Sequence, residues 1–296
     1  MDRNRLVVPT TPQGRQRRLG VPEVAHEMRR LMPRDLWLLG LLDDHQTLTT
    51  EQITAIAFPN LAKARRRLLL LHQRGVLDRF RHAVRPGSQS WRWTLGPYGA
   101  AIIAARNEAP MPRPAVVRAR TDRLSLSPRL QHLLGVNQVF CALIAHARRH
   151  RGTELVRWWP EHRATRAAGD LVRPDGHGLW RDNGRRVPFW LEYDTGTEPL
   201  SSKVADKLAG YARLASTDLA YPVLFWLPGP TREANLHTVL ARTPAARRVT
   251  IATASTDHAA DSGPAGPVWR TVGGTGRVRL ADIATRPTWD GPAWGG

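Results

Sequence analysis

The stretch FWLEYDTGTEPLSSKVADKLAGY, residues 189–211, carries acidic side chains at a spacing that suits a divalent cation. Glu192 and Asp194 lie two residues apart on a predicted strand, so both face the same side of a sheet. Asp175 follows Pro174 near the end of the preceding predicted strand. If these strands are neighbours, the three carboxylates meet at one end of the sheet and form an oxygen-only site suited to Mg²⁺ or Mn²⁺. Structural ion pairs with nearby arginines are the alternative for Asp175 and Glu192.

Lysine is rare in this chain, and two of its lysines follow these acidic residues. The 44 basic residues include only three lysines, Lys63, Lys203 and Lys207. Lys203 and Lys207 are four residues apart on a predicted helix, which places them one turn apart on one face. An ammonium group there can stabilise a phosphorane or orient an attacking water, and a divalent cation can polarise a phosphoryl oxygen. We therefore expect a single catalytic group that consists of Asp175, Glu192, Asp194, Lys207 and Lys203. Its three carboxylates would be the metal ligands.

The charge balance of the chain favours a polyanionic partner. The 296 residues carry a formal net charge of +19 at pH 7, with 44 Lys and Arg against 25 Asp and Glu. Nucleic acid is the usual partner of so basic a protein. The single cysteine, Cys141, excludes a disulfide framework and a cysteine-based zinc site. Apolar runs stay well below the ~18 residues of a membrane span and the N-terminus lacks a signal-peptide pattern, so we expect a cytoplasmic protein without membrane insertion.

Residues 33–106 show three predicted helices, then a β-hairpin and a last helix. Thr49 and Gln52 have the spacing of a capping box at the second helix, and Asn60 and Gly75 bound the third. This is the order of a winged helix-turn-helix, whose third helix enters the major groove of DNA and whose hairpin is the wing. The basic residues expected to bind double-stranded DNA are Lys63, Arg65, Arg66 and Arg67 on the third helix and Arg79, Arg81 and Arg85 on the wing. A winged helix used only for dimerisation is the alternative.

The rest of the chain predicts a second domain and three flanking segments. Residues 127–256 show the element order αβββαβαβ, and neighbouring strands followed by βαβ crossovers give a mixed sheet flanked by helices. The predicted fold class is therefore α+β or α/β. Residues 1–32 are predicted to be a flexible basic arm, 107–126 a Pro-rich linker, and 257–296 a Gly/Pro-rich C-terminal extension with room for a short strand pair.

The segment RPDGHGLW…FWLEYD, in an αβββαβ order, resembles the PD-(D/E)xK core of restriction endonucleases over residues 127–256. The resemblance implies that Asp175 and Glu192 bind the metal. The sequence departs from the family pattern at Asp194, where the family usually has lysine. Some members carry this lysine on the following helix, which implies that Lys207 or Lys203 takes over its role.

The whole arrangement also resembles a narrower family, the replication-relaxation proteins of bacterial plasmids and integrative elements. The motifs that carry this resemblance lie between about residues 34 and 256, and they are a winged helix, LQHLLGVNQV, PD, LEYDTGTE and KLAGY. Relatives of that family include the MobC-class relaxases. The resemblance implies binding to an origin or transfer site, metal-dependent nicking of DNA in active members, and possible partners among other transfer or replication proteins or a second copy of the chain.

Two other functions fit parts of the sequence. One is a DNA-binding replication or transfer accessory protein with an inactive nuclease-like core. The other is a winged-helix transcription regulator, which leaves the carboxylates unused. Tyr211 follows Lys207 by one turn, and common relaxases use a nucleophilic tyrosine with a metal-binding His-x-His pair. Because none of the 11 histidines forms such a pair, a packing tyrosine with a hydrogen-bonded hydroxyl is favoured over a nucleophile.

Overall fold

The computed structural model describes residues 19–82, 89–197 and 199–284, except for the side chains of 201–203. It confirms a mixed α and β protein. The chain divides into two compact units, Met1–Asn137 (unit 1) and Gln138–Gly296 (unit 2). Within the described ranges, every helix is too short or too polar to cross a membrane.

Unit 1 combines helices with an antiparallel three-stranded sheet in the order β1-β3-β2. In chain order its elements are α1 (Val21–Arg29), α2 (Pro33–His45), β1 (Leu48–Thr49), α3 (Thr50–Ala57), α4 (Leu61–Gln73), β2 (Leu77–Phe80), β3 (Arg92–Leu95), α5 (Pro97–Arg106), α6 (Pro114–Ser125) and α7 (Leu130–Ala147), which continues into unit 2.

The predicted helix boundaries in unit 1 follow from local hydrogen bonds. The side chain of Thr49 accepts from the N–H of Gln52 at 3.1 Å and the side chain of Gln52 accepts from the N–H of Thr49 at 2.9 Å, which confirms the capping box of α3. The side chain of Asn60 accepts from the N–H of Lys63 at 3.0 Å and begins α4. Gly75, with φ of 67°, follows its end, where a left-handed residue is needed.

Two segments predicted to lack regular structure contain helices. Part of the predicted arm, 1–18, lies outside the described residues, but α1 follows it and buries Val24. The predicted linker 107–126 contains α6. Pro114 is the first residue of that helix, where the missing N–H has no partner to lose, and Val117 is buried. The prolines therefore mark a helix start within this segment, and the predicted linker is largely helical.

Unit 2 is built on a seven-stranded mixed sheet in the order β10-β9-β8-β7-β6-β5-β4. The strands β4, β5 and β6 are antiparallel neighbours, β6, β7 and β8 are parallel, and β9 and β10 are antiparallel again. In chain order its elements are β4 (Thr153–Pro160), α8 (Glu161–Ala167), β5 (Gly176–Asp182), β6 (Arg185–Tyr193), α9 (Leu200–Leu214), β7 (Val223–Leu227), α10 (Pro230–Arg242), β8 (Ile251–Ser255), β9 (Pro267–Thr271) and β10 (Arg277–Arg279). The predicted C-terminal extension thus contributes two strands.

Both faces of the unit 2 sheet are covered. Trp190 lies in one buried cluster with Leu208 of α9 and Leu236 of α10. On the opposite face, the ring of Phe189 stacks on Phe140 of α7 at a centroid distance of 5.9 Å. Since successive residues of β6 alternate between the faces, Glu192 belongs to the face that α9 and α10 cover.

Candidate functional site

Asp175 lies directly before β5 and beside the end of β6. Its N–H donates to the carbonyl of Leu191 at 3.0 Å, and its Oδ2 accepts from the N–H of Tyr193 at 2.8 Å. The prediction that Asp175 stands near the end of its own strand was wrong, because the strand begins only at Gly176. Since β5 runs antiparallel to β6, the start of β5 still meets the end of β6, and the expected neighbourhood of Asp175 and Glu192 results.

Glu192 and Asp175 meet at the ammonium group of Lys207. The Lys207 Nζ donates to Glu192 Oε2 and lies 3.5 Å from Asp175 Oδ1. The hydroxyl of Tyr211, one turn further along α9, donates to Glu192 Oε1 at 2.6 Å. Glu192 is 4% exposed, so its charge is compensated by these neighbours rather than by water. The structure therefore brings together three of the predicted catalytic residues.

The electrostatics of this group follow from burial. Burial, and then the charge of Asp175, raise the pKa of Glu192 to about 7 against the opposing effect of Lys207. Burial lowers the pKa of Lys207, but the attraction of Glu192 and Asp175 outweighs burial and the pKa is raised. Burial and then Glu192 raise the pKa of Tyr211. Lys207 is thus a cation and Tyr211 a neutral hydrogen-bond donor.

Asp194 does not join the other two carboxylates. Its Oδ2 accepts from Arg232 Nε at 2.6 Å, and its Oδ1 accepts from the N–H of Gly196 at 2.9 Å. Glu192, Asp194, Lys207 and Arg232 nevertheless line the same cavity of about 30 Å³. Glu192 and Asp194 thus share a face as predicted, but the carboxylate of Asp194 forms an ion pair with Arg232. Sequence spacing gave no signal for Arg232, because the residue lies in the first turn of the later helix α10.

Lys203 lies on α9 one turn before Lys207, and its side chain is outside the described part of the chain. Its predicted catalytic role stays a prediction.

The carboxylates of the site suit a divalent cation that is held by two protein ligands rather than three. Within the described residues there is no group of three or more His, Cys, Asp or Glu side chains placed to hold a metal ion. Asp175 and Glu192 supply carboxylate oxygens that converge on one positive charge. Mg²⁺ often binds proteins through one or two carboxylates and completes its shell with water and substrate phosphate. The two-carboxylate pair fits this pattern, whereas Asp194 as a third ligand does not.

The predicted DNA-binding residues of α4 fall into two groups. Lys63, Arg65 and Arg66 are exposed. Arg67 instead pairs with Asp35 of α2, and its Nε donates to Asp35 Oδ1 at 3.2 Å. Asp35 is 1% exposed. Arg67 is therefore occupied in a buried ion pair that joins α4 to α2.

The predicted wing residues surround a tryptophan. The guanidinium of Arg79 lies 4.1 Å from the centroid of the Trp91 ring and that of Arg81 lies 4.3 Å from it. Such cation–π stacking orders both arginines at the base of the hairpin. Arg85 lies outside the described residues. Trp91 lies directly before β3 and was not singled out from the sequence, although it begins the alternating WRWTL pattern.

Comparison with known proteins gives one match. Neither a curated protein nor a solved structure matches the chain. The model of the replication-relaxation family matches residues 39–224, more than half of the chain. The matched range includes Asp175, Glu192, Lys207 and Tyr211 and ends before Arg232. The chain belongs to the replication-relaxation family.

Proposed function

We propose that the protein binds duplex DNA at an origin or transfer site of a mobile element and nicks it by a hydrolysis that depends on Mg²⁺ or Mn²⁺. The observation that carries this proposal is the convergence of Asp175 and Glu192 on the ammonium group of Lys207. Membership of the replication-relaxation family supports a function connected with DNA replication or relaxation.

The order of elements supports this reading of both units. In unit 1, the helices α2, α3 and α4 precede the hairpin of β2 and β3, as in a winged helix-turn-helix. In unit 2, the order α7, β4, β5, β6, α9, β7 corresponds to the αβββαβ order of the PD-(D/E)xK core, with α8 inserted after the first strand. The exposed Lys63, Arg65 and Arg66 are then the residues of the recognition helix that face DNA.

Each residue of the site has a distinct part in the proposed reaction. Asp175 and Glu192 would hold the cation, which would supply a Lewis acid that polarises a phosphoryl oxygen of the DNA. Lys207 stabilises the negative charge that grows on the phosphoryl oxygens as water attacks. The hydroxyl of Tyr211 and the N–H of Tyr193 orient the two carboxylates through the bonds already described.

The test is the conversion of a supercoiled plasmid that carries the cognate origin into nicked circles. Full-length protein with Mg²⁺ should produce nicked circles, and EDTA should abolish them. Asp175→Asn and Glu192→Gln should each lower the rate by about 10³-fold, because each removes a charged ligand of the cation. Asp170→Asn is the matched control, since Asp170 is exposed and has a φ of 57° that asparagine adopts readily. Plasmid that stays closed with Mg²⁺, or an Asp175→Asn variant as fast as wild type, would contradict the proposal.

A second candidate is an accessory protein that binds DNA without cleaving it. It is favoured by the ion pairs themselves, because Lys207 compensates the buried carboxylates and Arg232 pairs with Asp194. This candidate predicts that origin binding, measured by fluorescence anisotropy, is unchanged by EDTA and by Glu192→Gln while no nicked circles form. In both candidates, affinity falls steeply with salt because bound phosphates release counterions.

A further inference from the structure

One ammonium group compensates two buried carboxylates in unit 2. Lys207 Nζ contacts Glu192 Oε2 and lies 3.5 Å from Asp175 Oδ1, and its side chain is only 19% exposed. When both carboxylates are ionised, the one ammonium group leaves a net negative charge on the three groups. A group of this kind still attracts a further cation.

The two carboxylates have anchors that do not depend on Lys207. Asp175 accepts the N–H of Tyr193 at 2.8 Å, and Glu192 accepts the hydroxyl of Tyr211 at 2.6 Å. Both carboxylates therefore keep a fixed partner if the ammonium group moves. Of the three groups, Lys207 is the best able to move, since its charge is at the end of a flexible four-carbon chain.

A divalent cation and the ammonium group would compete for the same oxygens. Positive charges a few ångströms apart in a site shielded from water repel strongly. Lys207 lines a cavity of about 30 Å³ together with Glu192 and Asp194, and this cavity gives the ammonium group space to shift from its present position.

We propose that Lys207 is a resident counter-ion that occupies the carboxylate pair in the metal-free protein and that a divalent cation must displace it to bind. The inference rests on the proposed function for the identity of the metal site, and it adds how that site is regulated. The displaced ammonium group becomes available to a DNA phosphate. Because the DNA would then stabilise the displaced position, metal and DNA should each increase the affinity of the protein for the other.

The chain offers an internal control for a direct test. Its three lysines are Lys63, Lys203 and Lys207, so an amine-reactive reagent followed by mass spectrometry reports all of them in one experiment. In full-length protein with EDTA, Lys207 should be protected relative to Lys63. Addition of Mn²⁺ without DNA should increase the labelling of Lys207 about tenfold or more and leave Lys63 unchanged. Labelling of Lys207 that does not rise when Mn²⁺ binds, or an absence of Mn²⁺ binding, would overturn the inference.

A second measurement uses binding rather than labelling. Lys207→Met removes the competing charge at similar side-chain length, and calorimetry should give an affinity for Mn²⁺ about tenfold or more above that of wild type. Lys63→Met, a matched loss of an exposed lysine in unit 1, should leave the affinity for Mn²⁺ unchanged. Equal or weaker binding by Lys207→Met would show that the ammonium group does not compete with the metal. If Lys207→Met does not fold, the labelling of wild type decides.

The result also separates this inference from the proposed function. Nicking in the presence of Mn²⁺ while Lys207 stays protected would overturn the counter-ion role and leave the nuclease standing. Displacement of Lys207 by Mn²⁺ without any nicking would support the counter-ion role and remove the nuclease.

Discussion

The position of Tyr211 suits a hydrogen-bond donor within the site rather than a nucleophile. Its side chain is 2% exposed, and its hydroxyl donates to Glu192 at 2.6 Å. Burial and the adjacent carboxylate raise its pKa, so the phenolate that would attack phosphorus is strongly disfavoured. A reaction through water, without a covalent link between protein and DNA, is the reaction that this geometry suits.

Tyr211→Phe tests that assignment. Because the change removes one hydrogen bond to a charged group, it should lower the free energy of unfolding by about 1–3 kcal/mol, measured by urea denaturation. Nicking should persist within about tenfold of wild type, since Asp175, Glu192 and Lys207 all remain. Tyr98→Phe in unit 1 is the matched control for loss of a phenolic hydroxyl. Complete loss of nicking by a folded Tyr211→Phe protein, or a covalent protein–DNA product from wild type, would refute this assignment.

In this site, side chains that are close in the sequence could be placed from their spacing, whereas the partner of Asp194 could not. The two-residue spacing of Glu192 and Asp194 is local, and it predicts correctly that both line the same cavity. The shared face of Lys203 and Lys207 stays a prediction, because the Lys203 side chain lies outside the described part of the chain. The partner of Asp194 depends on how α10 packs against the sheet. That contact joins residues 38 positions apart, and no local spacing encodes it.

At the scale of elements, α4 shows how a basic run divides between surface and core. The buried residues Ala64, Leu68 and Leu71 form one stripe of the helix. Arg67 lies three residues after Ala64 and four before Leu71, so helical spacing places it on the border of that stripe. This spacing was a usable signal that Arg67 differs from its neighbours. Its carboxylate partner, Asp35, lies on a different helix and could not be identified from the run itself.

Arg66→Met and Arg67→Met should therefore affect different properties of the protein. Arg67→Met leaves the buried charge of Asp35 unpaired and should lower the free energy of unfolding by about 3–5 kcal/mol, measured by urea denaturation. Arg66→Met should hardly change stability. It should weaken DNA binding and reduce the slope of log affinity against log salt concentration by about one, measured by anisotropy. If instead Arg67→Met is as stable as wild type, the ion pair does not hold α4 to α2.

The C-terminal strand β10 is tied to α10 by a second buried ion pair. Arg277 Nη1 donates to Glu233 Oε1 at 3.0 Å and Nη2 donates to Oε2 at 2.7 Å. Thr253 of β8 donates to the same carboxylate at 2.7 Å. Burial alone would raise the pKa of Glu233, but these donors outweigh it and lower the pKa from its ordinary value of 4.5.

This pair makes a prediction with a defined pH dependence. Since the folded pKa of Glu233 lies below 4.5, its contribution to stability is complete above that pH and is lost as pH falls through the lowered pKa. At neutral pH, Arg277→Met should lower the free energy of unfolding by about 3–5 kcal/mol, and this deficit should shrink under acid as Glu233 protonates. Urea denaturation at neutral and acid pH measures both values. Arg279→Met, at an exposed position of the same strand, is the control and should change stability much less than Arg277→Met. A deficit that does not change with pH would argue against the Glu233 assignment.

At the scale of the whole molecule, the units do not divide where the composition of the chain changes. The sequence predicted a linker over 107–126 because three prolines there interrupt any periodic pattern. Compact packing instead places the division after Asn137, inside α7. Prolines occur at the starts of helices as well as in linkers, and only tertiary contacts such as the burial of Val117 in α6 distinguish the two.

The first part of α7 belongs to the core of unit 1. Leu130 and Leu134 share a buried cluster with Phe80 of β2. The carbonyl of Leu134 accepts from the side chain of Gln52 at 3.0 Å, and the side chain of Asn137 donates to the carbonyl of Thr47 at 2.8 Å. A first domain that ended at the predicted boundary would lack all of these contacts.

A fragment of residues 1–147 should therefore fold more stably than a fragment of residues 1–126. Loss of two buried leucines alone should lower the free energy of unfolding by about 3–6 kcal/mol, measured by urea denaturation with circular dichroism. Two matched substitutions in the full-length protein test the same contribution of α7 without truncation. Leu134→Ala should cost about 2–5 kcal/mol through the cavity it leaves, whereas Leu126→Ala should cost little because Leu126 is 73% exposed. Equal stability of the two fragments, together with a silent Leu134→Ala, would place the boundary back at the linker that the composition predicted.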